Sequence, residues 1–137
     1  MKSEINFYEV EDQIVKSIVP LLLKILDEKK KVLIFSANKN EIEEIDKSLW
    51  SYGKNKFIPH ITIFDKNFDI ARQPILLTDQ EHNSNGADYL VFLSEPSKKF
   101  LENFNRSFYF FSKKNLTNEI IPTNFYKKEN GKWIKIS

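Results

Sequence analysis

The stretch Lys31-Val32-Leu33-Ile34-Phe35-Ser36, followed by Asn38, Glu41, Ile42, Ile45 and Leu49, decides the fold. Its first part is a short, unbroken apolar run, the pattern of a strand covered on both faces. Its second part starts with Asn38 and, three residues on, Glu41, a capping-box-like helix start. Ile42, Ile45 and Leu49 then recur at helical spacing, and the helix ends near Trp50-Ser51-Tyr52-Gly53. A buried strand feeding an amphipathic helix is the repeating unit of parallel α/β sheets.

The same alternation continues in both directions. Upstream, Ile5 to Val10 alternates apolar and polar residues as a strand does. Glu11 and Asp12 place negative charge at the start of a helix whose stripe is Ile14, Val15, Ile18, Leu22, Ile25 and Leu26. Pro20 lies inside that helix and is expected to kink it, at ~3 kcal/mol unless packing compensates. Downstream, strands are expected at Ile61–Phe64, Pro74–Thr78, Tyr89–Ser94 and Phe108–Phe111. A turn falls at Asn83-Ser84-Asn85-Gly86 and a short helix at Lys98–Asn103. Pro122 starts a final helix that Asn130-Gly131 ends. Trp133, Ile134 and Ile136 either add an edge strand or pack on the body. The expectation is one α/β domain over residues 1–137, a mostly parallel sheet with helices on both faces.

Composition removes several functional classes. In 137 residues no apolar run approaches the ~20 needed to span a bilayer. Met1-Lys2-Ser3-Glu4 is followed by no long apolar stretch, so a secretory signal is not expected there. The absence of cysteine excludes disulfides, thiolate-bound zinc, iron–sulfur clusters and thiol catalysis. The three glycines, Gly53, Gly86 and Gly131, form neither common phosphate-cradling loop. His60 and His82 make no recognisable metal pair, so neither metal nor cofactor is expected. The net charge of +2 is too small for generic polyanion binding. It is uneven, however: from Lys113 onward six lysines face two glutamates, +4, and the preceding 112 residues carry −2.

Catalysis needs a nucleophile beside a base, paired carboxylates or a metal. No G-x-S-x-G elbow occurs. His60, after Pro59 at the mouth of a strand, reads as a structural hydrogen-bonding residue, and Asp65, Asp69 and Asp79 as surface carboxylates. No catalytic residue is assigned. Two features stand out instead. Trp50 and Phe57 flank the polar loop 51–56, as core plugs or as anchors for a partner. Phe125-Tyr126-Lys127-Lys128 and Lys132-Trp133 interleave rings with lysines. That pattern suits single-stranded nucleic acid, and equally an acidic peptide with an apolar end.

The chain resembles the chi subunit of bacterial DNA polymerase III. The resemblance rests on Ile5-Asn6-Phe7-Tyr8, Lys31-Val32-Leu33-Ile34, Ile45 to Trp50, Phe57-Ile58-Pro59-His60, Pro74-Ile75-Leu76-Leu77 and Asn85 to Ser94. The Leu49-Trp50 and Phe57-to-His60 block and the Asn85-Gly86-Ala87-Asp88 segment are its most specific parts. It weakens after Phe111.

The resemblance implies a three-layer Rossmann-like fold without a nucleotide-binding loop, and a cytoplasmic accessory subunit without polymerase activity. It implies binding to the psi subunit, which ties chi to the clamp loader, and to the acidic, Phe-ended C-terminal tail of single-stranded DNA-binding protein. Trp50 and Phe57 match the family's aromatic pair on the psi-binding surface. Tyr126, Lys127, Lys128 and Lys132 match the tail-peptide site, with the peptide's Phe beside Tyr126 or Phe111. Here Pro122 interrupts a helix that is usually longer, and lysines replace arginines and their bidentate grip. The competing expectations are a direct single-stranded nucleic-acid binder, a degenerate α/β enzyme with a small-molecule cleft, and an adaptor for a repair helicase through Trp50 and Phe57.

Overall fold

Strand and helix alternate along the computed structural model, which describes residues 4–10, 14–52, 58–65, 69–112, 120, 122–129 and 132–136. The elements are β1 Glu4–Glu9, α1 Ile14–Asp27, β2 Val32–Phe35, α2 Lys39–Tyr52, β3 Ile61–Thr62 and β4 Ile75–Thr78. They continue with β5 Tyr89–Phe92, α3 Lys98–Leu101, β6 Arg106–Phe111, β7 Asn124–Glu129 and β8 Lys132–Lys135. The strands form one open sheet in the order β3-β4-β2-β5-β6-β1-β7-β8. Every neighbouring pair is parallel except β7–β8.

Because successive strand residues point to opposite faces, each apolar strand feeds two cores. Val32, Ile34, Leu77, Val91, Phe108 and Phe110 join Ile18, Leu22 and Ile25 of α1 and Ile42, Ile45 and Leu49 of α2. Leu33, Phe35, Leu76, Leu90, Phe92, Tyr109 and Phe111 join Phe100 and Leu101 of α3 on the other face. These are the expected three layers, and each fully buried aliphatic side chain contributes roughly 1.5–3 kcal/mol. Helix α1 runs through Pro20, which is exposed while Ile18, Leu22 and Ile25 opposite it are buried. Ser97 caps α3 by accepting the Phe100 N–H.

The Asn85-Gly86-Ala87-Asp88 segment is a structural bolt. The buried Asn85 amide donates to the carbonyls of Val32 and Gln73, and Asp88 accepts the Lys31 N–H. Gly86 sits at φ +63, a left-handed turn that side-chain-bearing residues seldom adopt. The turn thereby fixes the starts of β2 and β5 side by side.

The chain end corrects the sequence reading. No helix begins at Pro122; residues 124–129 form β7, parallel to β1. The free edge of β1 needs backbone partners, and Thr123 supplies two, donating N–H to the Ile5 carbonyl and accepting the Ile5 N–H on Oγ1. Phe125 then packs on Phe7 and Phe111 while Tyr126 packs on Tyr8 across the sheet, a period of two that a helix cannot give. Pro122, lacking an N–H, sits before the strand, where none is needed. Of the two expectations for Trp133 to Ile136, the edge strand is the one observed.

Candidate functional site

One exposed aromatic lies at the β3 end of the sheet. The last turn of α2 buries Leu49 and leaves Trp50 57% exposed. Trp50 rests on His60, ring centres 4.5 Å apart. His60 is buried, with Nδ1 2.7 Å from the Ile58 carbonyl and Nε2 3.0 Å from Asp46 Oδ1. The histidine is thus a hydrogen-bonded floor that holds an exposed indole in one place. Phe57, the expected companion, lies outside the described residues.

The second group lies at the β8 end. Phe110, Tyr8 and Tyr126 stack across β6, β1 and β7, each step 4.9 Å with rings 12° from parallel. Trp133, 38% exposed, meets Tyr8 edge-on at 5.1 Å, and Lys128 Nζ lies 5.5 Å from the Trp133 ring centre. Lys135 stands opposite Tyr126. Burial first, and then the neighbouring Tyr126, push the Tyr8 hydroxyl up from its ordinary pKa. At the same end the Asn6 amide, and then Arg106 against the opposing effect of partial burial, hold Glu4 below the usual carboxylate range.

Strand parity divides the residues that the sequence grouped. Tyr126 and Lys128 share a face with Trp133 and Lys135. Lys127 and Lys132 lie on the reverse face, where Lys127 Nζ is 3.7 Å from Glu9 and 4.0 Å from Glu129. Phe111 is 1% exposed and packs on Phe7, Tyr109 and Phe125, across the sheet from Tyr126. It is a core residue and cannot flank a peptide beside Tyr126. Sequence reasoning missed Tyr8, Lys135 and the floor role of His60. The first two follow from a period of two once β7 is read as a strand.

A cleft of about 730 Å³ opens at the carboxyl ends of β2 and β5, where ligands bind in many open α/β sheets. Its lining includes Ser36, Asn38, Glu41, Ser94, Glu95 and Tyr109. Ser36 donates to Glu41, and Asn38 Oδ1 accepts the N–H groups of Asn40 and Glu41. Burial, reinforced by Glu95 and Glu41, pushes the Tyr109 hydroxyl up to about 12. Two carboxylates and a capped helix start are poorly suited to a phosphate. Among the described residues no cluster of three His, Cys, Asp or Glu side chains is placed to hold a metal.

A mostly parallel open sheet of this kind, with exposed rings towards both edges, defines an open-sheet α/β domain. The chain belongs to the DNA polymerase III chi subunit family: the family described as "DNA polymerase III chi subunit, HolC" matches residues 1–121. It is 33% identical over 92 residues to the probable DNA polymerase III subunit chi of Rickettsia prowazekii (strain Madrid E). That alignment covers 66% of this chain and 54% of the relative, so it spans about half of the relative's length. Chi is an accessory subunit of the replicative polymerase, as the resemblance implied. The family match ends before β7 and β8, which therefore lie outside it. Among the described residues no helix is long and apolar enough to cross a membrane.

Proposed function

We propose that this chain is a non-catalytic connector in the cytoplasmic replisome. It joins the psi subunit, and through psi the clamp loader, to the acidic C-terminal tail of single-stranded DNA-binding protein. The observation that carries this reading is the placement of the two exposed ring groups. Trp50 stands at the β3 end and Tyr126 with Trp133 at the β8 end of one sheet. Seven strand spacings separate the outermost strands, roughly 34 Å. The two ring groups therefore stand at opposite ends of the sheet, apart enough to serve different partners.

In this reading psi takes Trp50 together with Phe57. The acidic tail takes Tyr126, Trp133, Lys128 and Lys135, and Lys127 and Lys132 add positive field from the reverse face. Exposed ion pairs contribute only ~0.2–1 kcal/mol each, so seating the terminal Phe against the rings supplies most of the affinity. Binding is then reversible and salt-sensitive, which suits a hand-over step.

The test is titration of an acidic peptide ending in Phe into the wild type and into Lys127→Glu/Lys128→Glu. Lys128→Glu loses a favourable contact and adds a repulsion, and Lys127→Glu reverses field from the opposite face, so affinity falls at least about tenfold. Equal affinity for the two proteins refutes the site. One observation favours a second reading: two rings beside two lysines also suit the bases and phosphates of a single strand. Oligonucleotide binding with a steep salt slope supports it, and no binding removes it.

A further inference from the structure

Strand β8 ends the sheet, and its outer edge carries a specific set of backbone groups. The Ile136 N–H donates to the Phe125 carbonyl at 2.7 Å, so Phe125 and Ile136 are a hydrogen-bonded antiparallel pair. Such pairs alternate with non-bonded ones. In the observed register, Lys127–Ile134 and Glu129–Lys132 are then bonded, and Tyr126–Lys135 and Lys128–Trp133 are not. The N–H and C=O groups of Trp133 and Lys135 therefore point away from β7. Among the described residues no strand lies beyond them.

An open edge of this kind templates one more strand, and the surrounding charge selects which. Lys128, Lys132 and Lys135 lie on the last two strands, against Glu129. A second copy of this edge would bring lysines against lysines and is repelled. An acidic strand is attracted.

We propose that an acidic peptide binds in extended form as a ninth strand, its backbone bonded to Trp133 and Lys135. Its alternating side chains then set carboxylates against Lys128 and Lys135 on one face and Lys132 on the other, and its apolar end lies against the Trp133 ring. The proposal rests on the acidic-tail reading above and adds the mode of capture: main-chain pairing supplies affinity, and the lysines and rings supply selectivity.

Lys135 allows a clean test in the full chain. Lys135→Pro deletes an outward N–H that β7 does not use, whereas Lys135→Ala removes only the charged side chain. With an acidic peptide ending in Phe, Lys135→Pro is expected to bind at least about tenfold more weakly than Lys135→Ala. Equal binding by the two variants overturns the ninth strand and leaves the acidic-tail reading standing; no binding by the wild type overturns both. Amide exchange on the wild type gives a check that needs no variant. Saturating peptide protects the Trp133 and Lys135 N–H groups, and unchanged exchange there overturns the proposal. Self-association of the free chain that Lys135→Pro abolishes also overturns it, because a second copy then owns the edge.

Discussion

The two ends of the sheet hold their exposed rings by different physics. At the β3 end, a buried polar contact does it: His60 is held by Ile58 and Asp46, and Trp50 lies on top. At the β8 end, a row of rings does it, with Phe110, Tyr8 and Tyr126 in one stack and Trp133 edge-on. The first end lies inside the family match, whereas the strands that carry Tyr126 and Trp133 lie beyond it. The first tolerates little change, because a hydrogen-bonded imidazole has few substitutes. The second needs only flat apolar surface at strand spacing, so it is rebuilt more easily in a sequence of different composition.

The sharpest way to break that contrast is a pair of variants. His60→Ala leaves the Ile58 carbonyl and Asp46 without their buried partner and opens a void beneath Trp50. Its expected cost is about 3 kcal/mol. Tyr8→Ala removes the middle ring of a half-buried stack, at about 2–3 kcal/mol. Urea unfolding gives both figures. Tryptophan emission shows whether the ends are independent, with Trp133→Phe or Trp50→Phe as the single-tryptophan background. His60→Ala should move only the Trp50 band and Tyr8→Ala only the Trp133 band. Both bands moving in either variant would mean that the two ends are one cooperative unit.

The contrast also explains what was legible in the sequence. The body was readable because Val32 to Phe35, Tyr89 to Phe92 and the Ile42-Ile45-Leu49 stripe state their periods without ambiguity. The resemblance named Trp50, but that it stands on His60 depends on a contact across a ten-residue separation. No local period encodes such a contact. The tail was misread because Pro122 followed by Gly131 imitates helix punctuation, while the free edge of β1, a distant partner, decides for a strand. That one error hid the parity that separates Lys127 from Lys128 and removes Phe111 from the surface. The Asn85-to-Asp88 block helped recognition, and its role in the fold is to bolt β2 to its neighbours.

Alkaline titration separates the middle of the sheet from both ends. Tyr109 is buried and its hydroxyl is pushed up to about 12, against about 10 in the unfolded chain. The protonated, neutral form is the one the fold prefers. Its contribution is therefore complete below pH 10 and is lost as pH rises through about 12. Two units correspond to at most about 2.7 kcal/mol. Urea midpoints of the wild type should fall between pH 9.5 and 11.5, values chosen to bracket the ordinary tyrosine range. Tyr109→Phe should keep only the smaller fall that Tyr8, raised for the same reason, still produces. An equally steep fall in Tyr109→Phe would place the alkaline weakness at the β8 end instead.

The smallest effect on stability is the most informative about use. Trp50 is more than half exposed, so Trp50→Ala gives up the contact with His60 and only a fraction of an indole's burial. The expected cost is about 0.5 kcal/mol, well below the ~3 kcal/mol of truncating a buried aromatic. Trp133→Ala should cost more, about 1 kcal/mol, because it also uncovers Tyr8 and frees Lys128. On the reading proposed above, the exposed Trp50 ring serves contact with psi and contributes little to folding. Pull-down of psi by Trp50→Ala, with its unfolding midpoint only slightly lowered, should then be strongly reduced while acidic-peptide binding at the β8 end is preserved. Retained psi capture would sink the assignment of that end. Loss of both activities together would show that the two ends do not act as separate sites.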